Sequence, residues 1–385
     1  MKWWKCVLMS ATILMSSMGA TGCWNYREVD KLAIVAGVAV DKGERNNFKL
    51  TFELVQISGG RESKITSQIL SMEGRTMFDA VRNAISITGK RLYWSHAKAI
   101  VISREIAEEG IIRVIDWYTR DSETRADVYL LVSQGATAKE ILEGQESTEE
   151  VKSFALGEMV KNQANLGKAP LTDILRFEND LQTPGVSAVA PAVNLRQSGG
   201  KMLPHVMGTA FFRQDKLAGF LNGEETQSLL FLRNEIRGGV ISDGGAGDSV
   251  ACTVSLEIFK SSTALVPVIH EDSLGIRVQS DTTTALDEID GTEDYIDEPG
   301  RKTLEVEAQH EIKTRLEALV KKMQQDYGLD VFGFAARIRG DHPRVWNGIA
   351  NQWDDIFKGL KVDIQPKVHI RNSAMLSKPL KVGGI

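Results

Sequence analysis

From residue 33 to residue 133 the chain alternates strand-like and helix-like patterning, which restricts this stretch to a mixed sheet layered with helices. Residues 33–41 (AIVAGVAVD) and 48–57 (FKLTFELVQI) are rich in branched and aromatic residues and flank the polar turn KGERNN, the pattern of paired strands. A weaker strand is expected at 66–72. Met77, Ala80, Val81, Ala84 and Ile85 then recur at helical spacing between Thr76 and Thr88. A strand at 97–103, a helix at 105–119 and a strand at 126–133 complete one compact α+β unit.

The remainder continues in the same mixed style. Residues 137–182 read as helical, followed by strands at 186–194, 206–213 and 216–221 and a helix from Glu224 to about Arg237. The Gly- and Asp-rich stretch at 243–248 reads as a loop, with strands expected near 250–260, 263–270 and 274–281. The run DEIDGTEDYIDE at 287–298 has seven acids and no base, which suits a solvated loop. The strongest periodicity lies at 302–327. There Leu304, Ala308, Ile312, Leu316, Leu319, Met323 and Tyr327 form one apolar stripe, with Glu311–Arg315 and Glu317–Lys321 as supporting pairs and Gly328 as a stop. A final strand is expected at 361–370, ahead of a frayed tail.

The first 23 residues constrain the compartment. Lys2 and Lys5 precede an apolar run from Cys6 to Met18, then the small residues Gly19, Ala20, Thr21 and Gly22, and then Cys23. This is the layout of a secretory signal peptide. As a helix the run would span about 20 Å, short of a membrane's hydrocarbon core. Ala20-Thr21-Gly22-Cys23 also resembles the bacterial lipoprotein signal. That resemblance implies cleavage after Gly22 and an N-palmitoyl, S-diacylglycerol Cys23, a thiol being the strongest nucleophile for alkylation by a lipid donor. Cys252, in the apolar run VACTVSLEIF, would then lack an intramolecular partner and serve as a small buried hydrophobe. No disulfide is expected in the mature chain.

Charge and motifs exclude several activities. The chain of 385 residues carries 46 Lys plus Arg against 51 Asp plus Glu, a net charge of −5 that argues against nucleic acid as a partner. No P-loop, dinucleotide fingerprint or GxSxG elbow occurs. His270-Glu271 and His310-Glu311 each open like a zinc-protease HExxH, but both lack the second histidine, and Thr314 stands in its place in the latter. Histidines at 96, 205, 270, 310, 342 and 369 show no ligand spacing. In the acidic run, Leu286 falls where a calcium loop needs its first ligand. No catalytic residue, metal ligand or cofactor is therefore expected. His96, beside Trp94 and Ser95, is read as a hydrogen-bonded histidine at a strand start, since catalysis would need a nucleophile and an orienting acid. Trp346 and Trp353, one heptad apart, are read as core, with an interaction surface as the alternative.

Taken together, several blocks resemble the Ger(x)C spore-germination lipoproteins, the C subunits of nutrient germinant receptors. They are GCWNYREVDKLAIVAGVAVDK, GKRLYWSHAKAIVISREIAEEGI (89–111), GTAFFRQDKLAGFLNGEET (208–226), DVFGFAARIRG (330–340) and the W…W…F…V pattern from Trp346 to Val362. They run in order over nearly the whole mature chain. Asn25 stands where the family usually has Asp. The resemblance implies an α+β architecture of three consecutive domains, each a mixed or antiparallel sheet flanked by helices. After the signal peptide at 1–22 these would be 23–135, 136–235 and 236–385, the last containing the helix 302–327. It also implies a non-catalytic subunit lipid-anchored to the outer face of the inner spore membrane of an endospore-former. There it would work with the integral-membrane A and B subunits, to which nutrient binding is generally attributed, so Cys23 alone carries over as a site residue. The rival reading is a solute-binding lipoprotein of a membrane transporter. A tethered hydrolase is disfavoured by the missing nucleophile motifs.

Overall fold

The computed structural model describes residues 3–18, 31–59, 64–144, 150–243, 253–270, 273–290 and 298–371. The apolar run near the start is a helix, α1 (Trp3–Met18). Strands β1 (Leu32–Lys42), β2 (Phe48–Ser58) and β3 (Lys64–Gly74) then form an antiparallel meander, followed by α2 (Met77–Asn83), α3 (Ile85–Thr88), β4 (Arg91–Tyr93) and β5 (Ala99–Ile102). The expected helix at 105–119 is two, α4 (Arg104–Glu109) and α5 (Ile112–Arg120), because Gly110 between them has φ 141°, which no helix accommodates. Strand β6 (Tyr129–Ser133) leads into α6 (Lys139–Glu143), α7 (Lys152–Lys161), α8 (Gln163–Leu166) and α9 (Ile174–Gln182).

Strand β7 (Val189–Ser198) then pairs in parallel with β6, and β8 (Lys201–Arg213) and β9 (Lys216–Leu221) extend the sheet. The result is one nine-stranded sheet ordered β3-β2-β1-β5-β6-β7-β8-β9, with β4 pairing the start of β1. The strands expected in 23–135 and in 136–235 thus share a single sheet in place of one sheet each. Burial explains the continuity. Leu130, Leu131 and Val132 of β6 are fully buried, so this strand needs a neighbour on both sides and helices over both faces. On one face Val38, Val40, Phe52, Ile100 and Leu130 pack under α2, α4, α5 and α9. On the other, Ala39, Ala99, Val101 and Leu131 pack under α6 and α7.

Helix α10 (Gly223–Leu232) starts at a capping box formed by Asn222 and Glu225 and stops short of the expected Arg237. A second sheet follows, ordered β10 (Val240–Asp243), β11 (Thr253–His270), β12 (Ser273–Asp290) and β13 (Lys361–Arg371). Here the expected strands at 250–260 and 263–270 are one continuous strand, and β12 runs to Asp290, into the acidic stretch expected to be a loop. The acidic stretch is therefore strand at its start and helix at its end, where α11 (Glu298–Lys322) begins; residues 291–297 lie outside the described residues.

Helix α11 covers the sheet through Leu304, Ala308, Ile312, Leu316 and Leu319, and Met323 follows in a π turn that ends at Gly328 with φ 61°. Arg315 pairs with Glu311 as expected, while Glu317 lies 3.7 Å from Lys313. Helices α12 (Phe334–Asp341), α13 (Pro343–Ile349) and α14 (Trp353–Gly359) close the core, and Trp346 and Trp353 are buried with ring centroids 5.6 Å apart. No helix among the described residues is long and apolar enough to cross a membrane.

Candidate functional site

Acidic side chains inside a protein mark either chemistry or an obligatory structural pairing. Three are buried among the described residues, and each one caps a helix. Glu53 sits on β2 with no exposed surface, and its carboxylate accepts from the backbone N–H of Lys152 at 2.8 Å and of Ser153 at 2.7 Å, at the start of α7. The Ser67 hydroxyl adds a third donor at 2.7 Å. Glu53 reaches the helix because its register partner on β1 is Gly37, where a Cβ would lie 2.2 Å from Ser153 Oγ.

Asp41, two strand positions beyond Ala39 on the same face, repeats the arrangement. It accepts from Ala138 N–H at 2.6 Å and Lys139 N–H at 2.9 Å, at the start of α6. Burial raises its pKa, and those two backbone donors oppose the rise. Asp330 is the third. Its Oδ1 accepts from the backbone of Phe332, Gly333 and Phe334 at 3.1, 2.9 and 3.2 Å, and its Oδ2 from Ala335 at 2.7 Å. Burial pushes its carboxyl up to about 6 against those four donors. All three carboxylates are thus committed to orphan helix N–H groups.

The junction of the two sheets is equally committed. Arg233, at the end of α10, donates to Asp180 Oδ2 of α9 at 2.8 Å, to Glu235 Oε1 at 2.8 Å and to the Val331 carbonyl at 2.9 Å. Glu235 also takes Arg176. Burial works against the Arg233 charge, but Glu235 and Asp180 outweigh it and raise its pKa. Nearby, Phe211 of β8 stacks edge-on to Tyr327 at 4.7 Å, and Ser187 N–H donates to the Asp330 carbonyl at 2.9 Å.

The residues singled out in the sequence do not converge. Cys23 and Cys252 lie outside the described residues. His96 is exposed in the turn before β5, its ring 5.9 Å from that of Tyr93, rather than held at a strand start. His205 is held by Asn194 at 3.3 Å, and burial lowers its pKa. Among the described residues no group of three His, Cys, Asp or Glu side chains could hold a metal. The buried acids were missed in the sequence, although Glu53 interrupting FKLTFELVQI and Asp41 ending AIVAGVAVD are the kind of lone acid in an apolar strand that signals one.

A cleft of about 540 Å³ runs between α2 and α5. Arg82 stacks on Phe78 at 4.6 Å and Arg113 on Phe48 at 4.5 Å, while Arg91 and Arg120 pair with Glu123 and Asp116. Such a cleft can hold an anionic group by charge and π stacking.

Comparison with known proteins gives a consistent picture. Residues 25–195 match the family described as Spore germination protein N-terminal domain, and residues 207–374 match Spore germination B3/GerAC like, C-terminal. Spore germination protein B3 of Bacillus subtilis (strain 168) is 25% identical over 355 residues, covering 90% of this chain and 93% of its own. Spore germination protein KC of the same organism is 23% identical, covering 98% of both chains. The solved structure titled "Crystal Structure of the GerBC protein" superposes with a TM-score of 0.56 at 21% identity, covering 87% of this chain and 97% of that one, a likeness of fold.

Proposed function

The chain belongs to the spore germination family that joins this N-terminal domain to a GerAC-like C-terminal domain, and on that premise we propose that it is the C subunit of a nutrient germinant receptor. The observation that carries the reading is the match to both domains, in order, over nearly the whole chain. In this reading the protein is non-catalytic and anchored to the outer face of the inner spore membrane through Cys23, N-palmitoylated and S-diacylglycerated after cleavage behind Gly22. Its partners are the two integral-membrane subunits, A and B. Its contribution is assembly: a membrane anchor raises the local concentration of large domains beside their partners, so a modest interface suffices.

The solute-binding alternative requires two lobes that hinge about a ligand. The Arg233–Asp180–Glu235 network and the Phe211–Tyr327 contact instead bind the two sheets together through one buried core, which supports a rigid docking body.

Gene deletion in the native spore-former tests the proposal. Response to particular nutrients should vanish, while germination by dipicolinate or surfactant persists. Cys23→Ala should leave the domains folded but lose membrane retention, because stable anchoring takes at least two acyl chains and the variant would carry none. Micromolar binding of an amino acid or sugar by the purified protein, with nutrient germination intact in the deletion strain, would favour the transporter reading.

A further inference from the structure

Lone exposed apolar side chains are ordinary, but here three gather at one end of the nine-stranded sheet. Ile57 and Ile65 are direct register partners near the hairpin end of the β2–β3 ladder, 64% and 52% exposed. Ile87, on α3, is 64% exposed. It lines a cleft of about 330 Å³ together with Leu32, Gln56, Gln68 and Lys90. That end is also where β1 begins: Val35 pairs with Leu54, so Leu32 lies level with Ile57, and β4 opens beside it with Arg91 opposite Leu32.

We propose that this end of the sheet, formed by Ile57, Ile65, Ile87 and Lys90, is a lipid-contacting surface that rests on the membrane beside the anchor. The proposal deepens the reading of Cys23 as the lipid-bearing residue and rests on it. Three observations select a lipid surface over a protein partner. The first is reach: eight residues lie between Cys23 and Leu32, so the two are at most about 30 Å apart along an extended chain. Trp24 and Tyr26 within them are residue types enriched at the headgroup level.

The second is shape. Ile57 and Ile65 lie on the face of the sheet that carries Glu53, whereas Ile87 lies on the face covered by α2 and α3. A flat surface meeting the strands end-on touches both faces at once, which a partner packed against either face would not. The third is chemistry. Exposed isoleucines beside the exposed Lys90 combine apolar insertion with attraction to anionic headgroups. The strands of the sheet then stand on end, with the β1–β2 turn at Glu44 farthest from the lipid.

Nitroxide labelling of the full lipidated chain tests this. In a Cys252→Ser background, single cysteines are introduced as Ile65→Cys, Ile87→Cys and, at the far end of the same strands, Glu44→Cys. Each labelled protein is bound to vesicles of phosphatidylglycerol and phosphatidylcholine, and collision with oxygen is compared with collision with a water-soluble nickel chelate. Positions 65 and 87 should both show a several-fold drop in chelate collision on vesicles, and position 44 none. Equal chelate access at 44, 65 and 87 on sedimented vesicles overturns the contact while leaving the anchor intact. Protection of 65 but not 87 overturns the end-on geometry. Protection of 65 without vesicles assigns the patch to a second copy of the chain. Failure to sediment with vesicles at all removes the anchor reading, and this proposal with it.

Discussion

Arg233 Nη2 lies 2.8 Å from Asp180 Oδ2, and this contact ties the end of α10 to α9 beneath the joint of the two sheets. Both side chains are largely buried, at 8% and 17% exposure, so neither charge has water as an alternative partner. Removing one member of such a pair leaves the other uncompensated, which typically costs about 3–5 kcal/mol. Arg233→Ala should therefore lower unfolding stability by roughly that amount. Arg233→Met combined with Asp180→Leu and Glu235→Gln should recover a good part of it. Urea unfolding of the purified chain reads both; a single variant within experimental error of the parent would show the network to be idle.

Asp330 gives the chain a pH dependence whose sign is fixed by burial. Its carboxyl titrates near 6 in the fold, above its ordinary value of 3.8, so between these values the folded state holds a proton that the unfolded state has released. The stability it contributes is full below about pH 4 and is lost as pH rises through 6. Measured against Asp330→Asn, the parent should lose relative stability between pH 4 and 6.5 and stay level above pH 7. The opposite slope would mean that the four backbone donors, rather than burial, govern its charge.

Gly37 is required by the approach of α7, not by its backbone angles. A Cβ there would meet Ser153 Oγ at 2.2 Å, Ser153 Cβ at 2.6 Å and the Ala99 carbonyl at 2.7 Å. Gly37→Ala should destabilise by roughly 1–3 kcal/mol through overpacking. Adding Ser153→Gly should restore only part of the loss, because the Ala99 carbonyl remains. Thermal melts of the three proteins decide it.

His96 is exposed, so His96→Gln should shift stability by no more than about 0.5 kcal/mol. Nutrient germination in a strain carrying the variant should match the parent. A stably folded, anchored variant that lost all response would give His96 a ligand role and displace the assembly reading.

Elements announced by local pattern were legible in the sequence. The stripe from Leu304 to Met323 and the branched runs of β1 and β2 form where their periodicities place them, because burial of one face is a local property. Pairing is not. Nothing near Val132 indicates that its neighbour will be Ala192, sixty residues on, so the continuity of the first sheet across residue 135 could not be read. The long β11–β12 hairpin was obscured by its inward face, where Ser261, Thr263, Ser280, Thr282 and Thr284 replace the apolar residues expected of a core. Ser261 and Thr282 bond to one another at 2.9 Å, while the Thr263, Ser280 and Thr284 hydroxyls have no partner among the described residues. The buried acids hid for the same reason, since an acid in a strand ordinarily marks the wet face. Cys23, the one site residue that the sequence named, lies outside the described residues.

The chain enters its first sheet through β1, which has β2 on one side and β5 on the other. A tether at Cys23 would therefore pull along the axis of an interior strand. Load applied in that direction is shared by both ladders at once, as shear, and no outer strand is exposed to be peeled away rung by rung.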